Sequence, residues 1–307
     1  MTTLHLTRTS LRPLLCPRIL PLTRAYSTPT PPSTIKLHSL PAPHSGTIKI
    51  LSLNRPTARN AISRQLLSDL STTIESIHAE HANNTSGSTR ALILASESDA
   101  CFCAGADLKE RLTFTAEETG AFLAKLRSTF ARLAALPVPT IAAVSSTAFG
   151  GGLELALCTH LRVFASTSVV GLPETRLAII PGAGGTYRLP RLVGEGRARD
   201  LIVTGRRVGG AEAYFMGLCD RLVEVSGEEV KEEGVARGKV LDVAVQLAKD
   251  ICEGGPVAIK AALEAVEGWE AGEKSENAAY EKVLVTRDRT EALKAFGEKR
   301  KPVFLGR

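Results

Sequence analysis

The amino-acid sequence predicts an α/β body followed by an all-helical tail, and three observations lead there. From Gly46 onward, short β-branched or fully apolar runs alternate with stretches of helical spacing, the pattern of strand–crossover–strand units. Beyond about Glu228 no strand-like run occurs. No run of about 18 apolar residues is present, so a membrane-spanning helix is not expected. At 307 residues the chain can bury a large core without metal or disulfide staples.

The elements follow in order. Thr47–Leu53 is a β-branched strand. Ala61–His81 carries Ile62, Leu66, Leu70, Ile74 and Ile77 at the spacing of one helix face. Asn83–Thr89 is a polar loop and Arg90–Ala95 a buried strand. Ala116–Leu136 is an amphipathic helix stopped by Pro137 and Pro139. Thr140–Val144 and Leu161–Ala165 are strands flanking a helix at Gly152–Thr159. The tail is helical, with breaks at Gly254-Gly255-Pro256 and near Gly272. It carries Val257, Leu263, Val266, Trp269, Val283, Leu284 and Leu293, more apolar surface than a short helical extension buries on itself, so part of it is expected at an interface.

The formal charge of +6 is uneven: residues 1–26 hold four arginines and no acid, and without them the excess is +2. Asp69 is the first acidic residue of the chain. An Arg-bearing, acid-free opening with interspersed leucines has the composition of a mitochondrial presequence, and a secretory apolar segment is missing. Residues 1–26 are therefore expected to be a presequence for the mitochondrial matrix, and 27–45 a Pro-rich linker. The body is expected at 46–227 and a helical oligomerisation region at 228–307. The six cysteines form no C-x-x-C pair, which disfavours a disulfide framework and structural zinc. His78 and His81, on a polar helix end, are expected to be solvated, and no metal set is expected.

Three segments carry possible chemistry. Phe149-Gly150-Gly151-Gly152-Leu153-Glu154 follows a strand and opens a helix; helix N-termini present free N–H groups to developing negative charge, although the same glycines also make a tight turn. Cys103-Ala104-Gly105-Ala106-Asp107 offers bare amides of the kind that build an oxyanion hole, or merely a compact turn. Pro181-Gly182-Ala183-Gly184-Gly185-Thr186 is neither a dinucleotide fingerprint, since Tyr187 takes the place of the third glycine, nor a phosphate loop, since no Gly-Lys-Ser/Thr follows. Glu154 and Glu174 each fit either a tuned buried acid or an ordinary helix-start residue.

Together Phe102–Glu110, Pro137–Ala143, Gly150–Ala156 and Pro173–Thr186 resemble, in order, the motifs of the enoyl-CoA hydratase/isomerase (crotonase) superfamily. The resemblance runs from about Gly46 to the C-terminus, and Ala104–Arg111 and Thr175–Arg191 are most similar to its methylglutaconyl-CoA hydratase branch. It implies a spiral of ββα turns with a helical trimerisation region, assembled as a homotrimer or hexamer. It also implies hydration of a 2-enoyl-CoA, with coenzyme A entering as part of the substrate and no separate cofactor. Ala106 and Gly151 match the two oxyanion-hole amides, and Glu154 and Glu174 the acid/base pair. Ala104, Asp107, Leu108, Lys109 and Gly182 match substrate- or CoA-binding positions, and Phe296 and Lys299 match residues that reach a neighbouring subunit's CoA. Ser145-Ser146, Phe149 and His160 depart from the usual pattern. The alternative within the superfamily is a short-chain enoyl-CoA hydratase of β-oxidation. Choosing between the two needs a cation for a distal carboxylate, for which Arg111 and Lys125 are the candidates. Nucleic-acid binding is disfavoured, because Arg64, Ser68, Asp69, Thr72 and Glu75 set one base against two acids on the first helix.

Overall fold

The computed structural model describes residues 33–82 and 87–307. The expected presequence, the linker up to residue 32 and residues 83–86 of the polar loop lie outside the described residues.

Among the described residues nine strands form two sheets: β1 (Ile35–Pro41), β2 (Thr47–Leu53), β3 (Thr89–Ser96), β4 (Thr140–Val144), β5 (Thr147–Phe149), β6 (Leu161–Ala165), β7 (Val169–Gly171), β8 (Val208–Gly209) and β9 (Arg221–Val223). The larger sheet has the order β1-β2-β3-β4-β6-β9, parallel except for β1, and the smaller one the order β5-β7-β8. Helices α1 (Arg64–Glu80), α2 (Leu108–Arg111), α3 (Ala116–Ala134), α4 (Gly151–Ala156), α5 (Gly185–Val193), α6 (Glu195–Thr204) and α7 (Gly210–Phe215) lie between strands. Four more, α8 (Val235–Cys252), α9 (Pro256–Glu267), α10 (Glu273–Leu284) and α11 (Arg287–Gly297), follow the last strand. Successive turns place β4 then β5, and β6 then β7, in the two sheets, so the expected spiral is present.

Period-two alternation divides the large sheet into two apolar faces. Leu51, Leu53, Leu92, Leu94, Ala142, Val144 and Phe164 face α1 and α3, where Leu66, Leu70, Ile74, Leu126 and Phe130 complete the main core. Ile48, Ile50, Ala91, Ile93, Ile141, Ala143 and Val163 face the other way, against α8. There α8 presents Ala236, Val240, Ala244, Ala248 and Cys252 at four-residue spacing, a stripe small enough for close approach to the sheet.

Three expectations change. Ile35–Pro41, placed in the linker, pairs antiparallel with β2 from Ile35↔Leu53 to Pro41↔Thr47. As an edge strand it is half-buried only at Ile35 and Leu40, so it shows little apolar alternation, and Pro41 at its end needs no ladder bond. The boundary at residue 228 does not separate α8 from the body, because α8 covers one face of the sheet. His78 and His81 are half-buried rather than solvated, their Nε2 atoms bonding the carbonyls of Arg132 and Thr89 at 2.9 and 3.0 Å. In α9–α11, Val266, Trp269, Leu284, Leu293 and Phe296 remain exposed.

Candidate active site

The site forms where the segment after β3 meets the start of α4. Asn60 ties that segment down. Its amide nitrogen donates to Ser96 Oγ, Cys101 O and Phe102 O at 2.9–3.2 Å, and its oxygen accepts from Arg55 N. Ile62 N donates to Gly105 O and Asp107 N to Ile62 O, which leaves the Ala106 N–H between them outside the ladder. Gly105 has φ +91°, and a methyl there would lie 2.6 Å from Phe149 O. A methyl on Gly152 would run into the Cys103 carbonyl, and one on Gly151 would lie 3.9 Å from Ala106 N. Only glycines let α4 press this closely on the loop. The Ala106 and Gly151 amides are thereby neighbours, and neither donates to another group among the described residues.

Two carboxylates lie around the start of α4. Glu154, in the first turn of α4, is 2% exposed, and its Oε1 accepts from Ala183 N and Gly185 N at 2.8 Å each. Burial pushes its carboxyl up, while the two amides and the nearby Arg188 and Arg127 pull the other way. Glu174 opens a 3-10 turn (Glu174–Leu177) and is 9% exposed. Its Oε1 sits against Gly150, where φ is +52° and a methyl would come within 2.9 Å. Its Oε2 is buried without a hydrogen-bond partner. Burial, reinforced by Glu154, pushes the Glu174 carboxyl up to about 7. The exposed helix-start alternative is therefore wrong for both glutamates.

Outside the carboxylates, Arg127 Nε donates to Gly182 O at 2.8 Å and Arg188 donates to Ala183 O at 2.9 Å, bracing the glycine loop that holds Glu154. No motif marks either arginine, nor Asn60; the first two act through backbone carbonyls and Asn60 through a distant loop. Ala104 N donates to Arg59 O. Asp107 caps α2 and pairs with Arg55 at 3.1 Å, while Leu108 and Lys109 are exposed. Phe296 and Lys299 are exposed at the end of α11, and no hydrogen bond or ion pair among the described residues ties them to the carboxylates. The departures leave the site intact. Phe102 N and Cys103 N both donate to Thr147 O just after Ser145-Ser146. His160, half-buried and held down to about 4 by desolvation, accepts from Thr140 N through Nδ1. A cavity of about 580 Å³ lies elsewhere, lined by Val257, Ile259, Val285 and Phe304, and shares no residue with this site.

A two-sheet spiral with paired free amides beside two buried glutamates is suited to acid–base chemistry on an activated carbonyl, and the chain belongs to the enoyl-CoA hydratase/isomerase family, whose model matches residues 44–307. Among its relatives, an enoyl-CoA isomerase/hydratase of Zymoseptoria tritici is 67% identical, over 92% of this chain and 91% of that one. The mitochondrial methylglutaconyl-CoA hydratase 1 of Pyricularia oryzae is 56% identical, over 92% of this chain and 90% of that one. The crystal structure of enoyl-CoA hydratase from Bacillus anthracis superposes with a TM-score of 0.79 at 39% identity, covering 89% of this chain and 100% of that one.

Proposed function

We propose that the chain hydrates a 2-enoyl-CoA thioester, converting 3-methylglutaconyl-CoA to 3-hydroxy-3-methylglutaryl-CoA in leucine degradation. The observation that carries this reading is the pair of buried glutamates in unlike environments: Glu154 fixed by two amide donors, Glu174 carrying an unpartnered oxygen and titrating near neutrality. The branched dicarboxylic substrate is supported by the similarity to methylglutaconyl-CoA hydratases of Pyricularia oryzae and mouse.

In this reading the thioester oxygen takes the Ala106 and Gly151 N–H groups. Water adds its oxygen to Cβ as the double bond shifts toward an enolate, and the developing charge falls on the two amides, each worth roughly 3–4 kcal/mol of barrier. Glu154 accepts the proton from water, and Glu174 delivers one to Cα. Net, one water is added and the pair keeps a single proton. Dehydration runs the same steps backward with the roles exchanged, so the two carboxyls titrate as a coupled pair. Ala104, Asp107, Leu108, Lys109 and Gly182 border the incoming CoA thioester. Phe296 and Lys299 complete a neighbour's CoA site in a trimer or hexamer, and the exposed Trp269, Leu284 and Leu293 support such an assembly. The matrix is the proposed compartment, from the composition of residues 1–26 and the mitochondrial names of the relatives.

The test is product analysis after incubating the purified protein with 3-methylglutaconyl-CoA. Hydration appears as loss of the enoyl-thioester absorbance with the mass gain of one water. A product of unchanged mass with a displaced double bond would replace this reading by isomerisation.

A further inference from the structure

We propose that Arg111 binds the distal carboxylate of a dicarboxylic enoyl-CoA and so selects this substrate over straight short-chain thioesters. The inference rests on the hydratase reading above and adds the residue that chooses the acyl group.

Arg111 ends α2, the helix capped by Asp107 immediately after Ala106, and its own N–H donates to Asp107 O at 2.9 Å. Its side chain is therefore anchored one helical turn from an amide placed to receive the thioester oxygen. The guanidinium lies 4.1 Å from the centre of the Phe122 ring and 5.9 Å from that of Phe114. Its Nε is buried without a hydrogen-bond partner. Among the described residues no carboxylate forms an ion pair with it. The adjacent Glu110 instead accepts from the backbone N–H of Arg64 at 2.9 Å. Arg55, Arg64, Arg132 and Arg162, by contrast, each pair with an acid.

Half-burying a guanidinium with no hydrogen-bonded anion is costly, and the charge of the neighbouring Glu110 and the ring faces offset only part of that cost. An anion brought by the substrate would satisfy it, and the planar fork of arginine matches a carboxylate through two parallel bonds. The helix beneath Arg111 also reaches the loop that holds Glu154. The helix that carries Phe122 carries Leu123, whose side chain packs beside Gly182, and Arg127, which bonds Gly182 O in the loop holding Glu154. Lys125, the other candidate, is exposed and donates to Ser71 Oγ at 2.7 Å, toward α1.

The experiment measures kcat/KM for 3-methylglutaconyl-CoA and crotonyl-CoA with the full-length protein and with Arg111→Met, Arg111→Lys and Lys125→Met. The wild type is expected to favour the dicarboxylic thioester. Arg111→Met should lower the ratio of the two kcat/KM values about 30-fold, chiefly through KM of the dicarboxylic substrate. Arg111→Lys, which keeps the charge but not the fork, should fall between the two and covers the case in which the methionine variant does not fold. Lys125→Met should leave the ratio within about twofold. A residue that merely packs on Phe122 would lower both substrates alike and leave the ratio unchanged, and that outcome overturns the proposal. A wild type without preference for the dicarboxylic thioester would instead sink the substrate reading itself, and this inference with it.

Discussion

Glu174→Gln should make the protein less active and, at alkaline pH, more stable. In the folded chain the Glu174 carboxyl is raised from 4.5 to about 7, first by burial and then by Glu154. The difference corresponds to about 3 kcal/mol between the protonation states, an upper bound because a site bordering a substrate channel also takes up water. The sign follows from proton binding. The unfolded carboxyl ionises near its ordinary value while the folded one keeps its proton to about 7. The folded state thus binds more protons between those values, so stability falls as pH rises through that window and stays low above it. Glutamine does not titrate and is nearly isosteric, so the variant lacks this decline. Melting and denaturant curves at pH 5 and pH 8 are the assay, run beside hydration kinetics. The variant should gain up to about 2.5 kcal/mol relative to wild type on going from pH 5 to pH 8, since the unfolded carboxyl is already largely ionised at pH 5, while kcat drops at least ~10²-fold. An unchanged stability gap between the two pH values would refute the assignment of Glu174 as a buried, proton-holding acid.

Glu154→Gln should also lose at least ~10²-fold in kcat with little change in KM, because the carboxylate acts on a proton in transit; near wild-type turnover of the folded variant would remove Glu154 from the mechanism. Arg127→Met should lower kcat about 3- to 10-fold with KM nearly constant, and Arg127→Lys should recover part of it. The reason is that the guanidinium polarises the Gly182–Ala183 peptide, whose N–H holds Glu154; equal loss in both variants would contradict this relay. The kcat/KM for hydration of crotonyl-CoA and that for dehydration of 3-hydroxybutyryl-CoA should both decline above the upper titration of the glutamate pair, near pH 7, since only the singly protonated pair turns over; a profile flat to pH 9 would exclude that requirement. Truncation before Gly272 should yield a smaller particle with weakened CoA binding in sedimentation and titration experiments, and a full-length chain that is an active monomer at micromolar concentration would rule out a CoA site completed by Phe296 and Lys299 of a neighbour.

Much of the body was legible because its central strands are buried on both faces. Thr47–Leu53, rich in β-branched and aliphatic residues, and the apolar run Thr140–Val144 form strands over those same residues. The smaller sheet was not legible, since β5, β7 and β8 have only two or three residues each and carry no period. The edge strand β1 was hidden by its exposure and by its flanking prolines. At the site, the glycine clusters were visible but their purpose was not. That Gly150 must be glycine depends on Glu174 lying against it from a segment more than twenty residues away. Whether Glu154 and Glu174 are buried acids or exposed caps turns on packing that no local pattern encodes. Arg127 and Asn60 acquire meaning only once loops distant in sequence meet, and the choice between Arg111 and Lys125 likewise needs the fold.

The central claim, hydration of a branched dicarboxylic enoyl-CoA by the Glu154–Glu174 pair, is tested most directly by a kcat/KM panel with the wild-type protein. The panel comprises 3-methylglutaconyl-CoA, crotonyl-CoA and longer straight-chain enoyl-CoAs, each scored for hydrated product. The account predicts hydration throughout, with the highest kcat/KM for 3-methylglutaconyl-CoA. Equal or better turnover of the straight-chain thioesters would contradict the substrate assignment, and failure to hydrate any of them would contradict the mechanism.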